Sequence, residues 1–195
     1  LIGEYFICQS DWEAAAKFYE QAHRLAPNDT QIAERLAWLC LENGRPGRAL
    51  EVLGTSAPSE VQPFTRRNVL LAQARLALGE YRAVEDQAAA LKQQIAALPA
   101  LGSGPGDRQH SRTSLRRDLA TILAMLGRNE EAAEVLRAVV ADSSQWSTSD
   151  PDTLASLYEK LGRLDEAIAV YRAGMADTQH NGPAWYQDKL ARFYA

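Results

Sequence analysis

The chain is poor in the side chains from which most catalytic and cofactor sites are built. Among 195 residues there are three histidines and two cysteines. His23, His110 and His180 have no second histidine or carboxylate at the spacing of a metal site, so no metal is expected. No nucleophile, base and orienting group come together at recognisable spacing, which argues against an enzyme and against a cofactor. The one glycine-rich stretch, Gly102-Ser103-Gly104-Pro105-Gly106, follows no hydrophobic strand and precedes no Lys-Ser/Thr pair. It reads as a loop and not as a phosphate cradle. Long apolar runs are missing, so no membrane span is expected. A basic excess is missing too: 21 Lys and Arg against 25 Asp and Glu leave a net charge of −4, which argues against nucleic acid as a partner. Period-two alternation never persists, so no strand is expected. No signal peptide is visible, and a start at Leu1 without methionine reads as a piece of a longer protein.

What the chain does have is one degenerate pattern in five copies. A large residue precedes a small one, an aromatic or aliphatic residue comes next, then a turn residue, then a small and a bulky residue. The copies are Ile2-Gly3-Phe6-Ser10-Ala15-Tyr19, Leu36-Ala37-Cys40-Gly44-Ala49-Leu53, Leu71-Ala72-Arg75-Gly79-Val84-Ala88, Leu119-Ala120-Leu123-Gly127-Ala132-Leu136 and Leu154-Ala155-Tyr158-Gly162-Ala167-Tyr171. Small residues let two helices approach closely while bulky partners fill the groove between them. A period near 34 residues with this internal order marks a stack of helix-turn-helix units.

The pattern resembles the tetratricopeptide repeat. The first copy fits best, with Ile2, Gly3, Phe6, Ala15, Tyr19, Ala22 and Pro27 on the family's packing positions in order. Arg75 and Cys40 depart from the aromatic expected at the third place of their copies. The resemblance implies an all-α, right-handed α-solenoid of about five helix-turn-helix repeats plus one C-terminal helix. The repeats are expected at residues 1–29, 30–63, 65–111 with an insertion, 112–147 and 148–182, followed by a partial sixth over 183–195, all within one array. In that frame Cys8 faces the concave surface and Cys40 the packing layer, so a disulfide between them is not expected.

Local chemistry marks the helix ends. Ser10 with Glu13 reads as a capping box, Asn129 as the cap of a later helix, and Asp150 as the residue before Pro151 at a first helical position. Asn28-Asp29-Thr30 matches a glycosylation sequon but is better explained as a turn and cap between repeats. Gly44, Gly79, Gly127 and Gly162 stand where a first helix must end in a left-handed residue, a place Ser10 takes in the first copy. Turn residues at 10, 44, 79, 127 and 162 are spaced 34, 35, 48 and 35 apart. The excess falls between Leu98 and Ser111, partly as a longer helix through Leu91, Gln94 and Ile95 and partly as a loop from Ala100 to His110. After it come Arg108, Arg112, Arg116 and Arg117, which at a helix start would oppose the helix dipole. They form either a site for an acidic segment, Arg117 acting with Arg66, or a solvated run balanced by Glu130, Glu131 and Glu134. Trp185, Tyr186, Phe193 and Tyr194 of the sixth copy leave aromatic surface to be covered, by further repeats or by another molecule.

The resemblance also implies a groove lined by first-helix residues: Glu34, Arg35, Trp38, Arg66, Leu70, Gln73, Arg117, Thr121, Asp152, Ser156 and Glu159. Trp38 is the best single anchor, with inter-repeat packing as its other reading. Glu34 and Trp38 occupy places where the family's chaperone-tail clamp needs lysine and asparagine, which argues against that ligand. The function implied is a non-enzymatic scaffold for a partner protein or peptide, one with an acidic segment among the candidates. The repeat style is similar to periplasmic regions of bacterial exopolysaccharide exporters, which implies a polysaccharide-modifying enzyme as partner. It is also similar to the helical-repeat sensor regions of bacterial transcription activators, the alternative.

Overall fold

The computed structural model describes residues 2–9, 11–55, 66–98, 107–141, 149–176 and 183–194, without the side chains of 2, 4, 107–111, 175, 176, 183–185 and 192–194. The described residues form helices and turns, with no strand among them. In chain order the helices are α1 (Ile2–Cys8), α2 (Trp12–Leu25), α3 (Thr30–Glu42), α4 (Pro46–Thr55), α5 (Arg67–Ala77), α6 (Tyr81–Ala97), α7 (Asp107–Met125), α8 (Asn129–Val140), α9 (Ser149–Lys160), α10 (Leu164–Ala176) and α11 (Pro183–Tyr194). Paired in sequence, they make an all-α helix-turn-helix solenoid of five repeats and a trailing helix. The chain divides into two compact units, Leu1–Ala90 and Leu91–Ala195, the division falling within α6.

In unit 1 each helix from α1 to α5 packs on the next, and α3 also meets α5. The core alternates small and large as the sequence pattern requires: Ala33, Leu36, Ala37, Cys40, Ala49, Val52, Leu53, Leu70 and Ala74 are buried together. At the start of the chain the small residue is Gly3. A Cβ there would stand 2.5 Å from the Tyr19 ring, so glycine is what lets α1 lie on α2. In the third copy Arg75, the departure from the repeat pattern, is accommodated by polar pairing. Its guanidinium donates to Gln87 Oε1 at 2.9 Å, and Gln87 Nε2 donates to the Asn68 carbonyl at 2.8 Å.

Unit 2 repeats the scheme. Within it α7 packs on α8, α8 on α9, α9 on α10 and α10 on α11. Leu119, Ile122, Leu123, Leu136, Leu154 and Tyr171 are buried along these contacts. Tyr186 of α11 is also buried, its ring against Gly174 and 6.3 Å from the Tyr171 ring. The expectation that Tyr186 leaves surface to cover is thereby corrected, because the small Gly174 gives the ring a seat.

The first helices end alike. Gly44, Gly79, Gly127 and Gly162 all have φ between 67° and 78°. At each, the glycine N–H donates three residues back and the following N–H five back, as in Gly44 to Leu41 and Arg45 to Cys40 at 3.0 and 2.7 Å. This is the Schellman ending, and the left-handed residue it needs is cheap only for glycine.

Some helix starts differ from expectation. Asp11 caps α2 by accepting from Ala14 N at 3.0 Å, and Ser10 lies outside the described residues. Asn129 is the first residue of α8, so the cap position falls to Arg128, which makes no side-chain cap bond. α9 begins at Ser149, so Asp150 is already helical and buried. Asp29 caps α3 as expected, accepting from Gln31 N and Ile32 N. The long α6 reaches Ala97, while α7 starts at Asp107 and takes in His110, which had been expected in a loop. Residues 99–106 and His180 lie outside the described residues.

Candidate functional site

In unit 1 the register of three first helices brings their side chains to one open groove of about 1250 Å³. From α3 come Gln31, Ile32, Glu34, Arg35 and Trp38. From the start of α5 come Arg66, Val69, Leu70 and Gln73, and from α1 and α2 come Gly3, Phe18, Tyr19 and Ala22. The pieces meet because α3 packs on both α2 and α5. All the groove residues expected in this half, Glu34, Arg35, Trp38, Arg66, Leu70 and Gln73, are therefore in one place.

Trp38 serves two contacts. Its ring stands edge-on to Trp12 at 5.5 Å and packs on the unit 1 core, while it also lines the groove. The backbone carbonyl of Trp12 accepts from Asn43 Nδ2 at 3.2 Å, which ties the turn after α3 to the start of α2. An indole fixed in this way presents a pre-ordered apolar surface. Phe18, partly exposed, stacks on Phe6 at 5.3 Å and extends that surface.

The polar part centres on Glu34. Its Oε2 accepts the Arg66 backbone N–H at 3.0 Å, so the carboxylate serves the N-terminus of α5, whose own cap residue makes no side-chain bond. Its Oε1 is buried with no hydrogen-bond partner among the described residues. Burial pushes the Glu34 carboxyl above the usual carboxylate range, outweighing the Arg66 N–H and the nearby Arg67 and Arg66 charges. Arg67 is in turn lowered by its own burial, opposed by Glu34, and its guanidinium donates to the Leu53 carbonyl. Arg35 and Arg66 are exposed at the groove.

The groove residues expected in unit 2 are engaged differently. Arg117 makes a forked pair with Asp150, Nε at 2.9 Å from Oδ1 and a terminal nitrogen at 2.7 Å from Oδ2, with Asp150 only 5% exposed. Three of the four arginines also lie away from the helix start, and Arg108 alone falls in the first turn. α7 begins at Asp107, which puts Arg112, Arg116 and Arg117 beyond its first turn, and Arg112 donates to the Ile95 carbonyl at 3.3 Å. Two of the three acidic residues expected to balance that run serve other partners. Glu131 pairs with Lys92 and Arg128, and Glu130 with Arg163. Thr121 returns its hydroxyl to the Arg117 carbonyl at 2.8 Å, Asp152 pairs with Lys189 at 3.2 Å, Ser156 is exposed, and Glu159 accepts from Tyr171 at 3.1 Å.

Residues 7–66 match a family model described as tetratricopeptide repeat, and residues 153–175 match another of the same description. Those two stretches of the chain read as tetratricopeptide repeats. Among solved structures it is similar to MamA, at a TM-score of 0.52 and 17% identity over 98% of each chain. It is also similar to a thermophilic TPR protein of Thermus thermophilus, at 0.58 and 23% over 98% of this chain and 94% of that one. A putative kinesin light chain with nearly identical TPR-like repeats from Podosopora anserina gives 0.56 and 22% over 92% and 94%. These likenesses are of fold. No curated protein matches the chain in sequence.

The tetratricopeptide solenoid is typical of non-catalytic scaffolds that hold protein partners. Among the described residues no group of histidine, cysteine or carboxylate side chains could hold a metal ion, and no helix is long and apolar enough to cross a membrane. Sequence reasoning missed the share of the groove contributed by α1 and α2, namely Gly3, Phe18, Tyr19 and Ala22. A signal was present: Gly3 stands where the other four copies have alanine, and the larger Tyr19 fills the space released.

Proposed function

We propose that the unit 1 groove is the docking site for a peptide segment of a partner protein, one carrying an apolar anchor beside acidic residues. The observation that supports this reading most directly is the convergence of Trp38 with Arg35 and Arg66 on one groove of about 1250 Å³. That exceeds the roughly 300–1,000 Å³ of small-molecule sites, and its wall mixes aromatic, aliphatic and cationic groups. The anchor packs against Trp38, Tyr19 and Leu70, and the carboxylates face the two arginines. Complementary charge of this kind governs encounter rate and selectivity more than total affinity.

Arg66→Glu tests the reading. Binding of a labelled peptide with leucine and tryptophan anchors separated by glutamates should weaken about ten-fold or more at low salt, with the difference shrinking as salt is added. Unchanged affinity would remove the acidic-segment reading. A periplasmic scaffold role in exopolysaccharide export, with a polysaccharide-modifying enzyme as partner, rests on repeat style, as does the transcription-activator alternative. A β-barrel or a DNA-binding motif in sequence flanking these repeats distinguishes the two.

A further inference from the structure

Glu34 is the one acidic side chain among the described residues that line the groove, and its two oxygens are treated differently. Oε2 is held by the Arg66 N–H at 3.0 Å, while Oε1 is buried without a hydrogen-bond partner among the described residues. A charged carboxylate in this position keeps a desolvated oxygen that no donor compensates. A protonated one loses that penalty and still accepts the Arg66 N–H through Oε2. We propose that Glu34 is the specificity-determining residue of the groove, and that an acidic peptide segment binds there with uptake of a proton by Glu34. The inference rests on reading the groove as a peptide site.

The argument is one of charge. Arg35 and Arg66 favour a carboxylate in the groove, and an ionised Glu34 beside them opposes it. Protonation of Glu34 removes the opposing charge and leaves both arginines as they were. Linkage makes the effect reciprocal: whatever a proton on Glu34 does for ligand affinity, the ligand does for proton affinity. The bound state therefore holds more protons than the free state, and affinity falls as pH rises through the range in which Glu34 ionises. That range lies above the ordinary carboxylate one, because burial outweighs the pull of Arg66 and Arg67. A peptide glutamate, with a pKa of about 4.3, stays charged throughout.

The charged groups acting on Glu34 are Arg66 and Arg67 of α5, and Arg35 follows it on α3. On α2, His23 is next to the groove-lining Ala22 and has a buried Nδ1 without a hydrogen-bond partner among the described residues. A titratable side chain this close to the groove needs its own control.

The test uses the whole chain and two fluorescein-labelled peptides with the same leucine and tryptophan anchors, one with glutamate between them and the other with glutamine. Anisotropy titrations are compared at about pH 7.5 and about pH 5.5, where the peptide glutamates remain ionised. The glutamate peptide should tighten by about three-fold or more at the lower pH, and the glutamine peptide should not. In Glu34→Gln, which keeps an acceptor for the Arg66 N–H, the glutamate peptide should bind at the higher pH more tightly than it does to the native chain at that pH. Its pH dependence should vanish, while His23→Gln should leave it intact. Circular dichroism at both pH values confirms that each variant is folded. Retention of the pH dependence in Glu34→Gln, or its loss in His23→Gln, overturns the proposal and leaves the groove standing as a peptide site. If neither peptide binds, or if binding is indifferent to Trp38→Ala, the groove reading fails and this inference with it.

Discussion

Glu34, Arg117 and Asp152 hold the same place on their helices, two residues before the leucine that opens each repeat's packing pattern. In unit 2 both are ion-paired: Arg117 is forked onto Asp150, and Asp152 has the Lys189 ammonium at 3.2 Å, although its Oδ1, too, is buried without a hydrogen bond among the described residues. In unit 1 Glu34 has one oxygen engaged and one buried without a donor among the described residues. Four residues further along, unit 1 has Trp38, a ring large enough both to pack on Trp12 and to line a groove. Unit 2 has Thr121 and Ser156 there, the first turned back onto its own helix and the second exposed. One scaffold register thus supports two chemistries. Where charges are paired and side chains are short the register stabilises the stack, and where an aromatic meets an incompletely satisfied charge it leaves something for a ligand to complete.

The largest effect expected from this contrast is on stability. Arg117→Ala leaves the Asp150 carboxylate, 5% exposed, without its guanidinium. Breaking a buried pair in this way costs about 3 kcal/mol, read as a lower urea midpoint for unit 2. Replacing both partners together, as Arg117→Met with Asp150→Leu, should recover most of the loss, because a buried pair is worth little more than a well-packed apolar one. Peptide affinity at the unit 1 groove should not change in either variant. A loss of affinity without a loss of stability would mean that Arg117 serves a ligand after all, and the contrast between the two units would fail.

The next effect is on binding. Trp38→Ala should weaken the anchored peptide by about 2 kcal/mol, close to thirty-fold, as expected for a central aromatic anchor. The same change loosens the contact with Trp12, so Trp38→Phe is the sharper probe. It keeps an aromatic against the core and should retain most of the stability while still losing several-fold in affinity. Equal losses of stability and affinity across the two variants would assign Trp38 to packing alone.

Much of this was legible in the sequence, for identifiable reasons. Helix pairs and turns follow from residue size and backbone freedom, both local properties, so Ala37, Ala155 and the four glycines announced their roles. Cap assignments were less secure because neighbouring polar residues are hard to rank, as where Asp11, next to the expected Ser10, caps α2. Register placed Glu34, Trp38, Arg66 and Gln73 on one face, but it could not say which charges would find partners. Arg117 and Asp150 are 33 residues apart, and their pairing depends on how α7 and α9 are placed within unit 2. The contribution of Phe18 and Tyr19 was missed because they lie on a second helix, where the repeat pattern assigns packing only.

The smallest effect tests what the two units share. Gly44 ends α3 in unit 1 and Gly162 ends α9 in unit 2, at φ of 67° and 72°. A Cβ built at either meets nothing within 4 Å, so the cost of alanine comes from the left-handed backbone and not from collision. Gly44→Ala and Gly162→Ala should each lower stability by about 1 kcal/mol, and by nearly the same amount, when followed by urea unfolding. Peptide binding should be unaffected by both, since neither glycine lines the groove. If Gly44→Ala alone weakened binding, the turn after α3 would be part of what holds Trp12 and Trp38 in place, through the Asn43 amide that donates to the Trp12 carbonyl. The difference between the units would then begin at the turns, and not only at the side chains that follow from them.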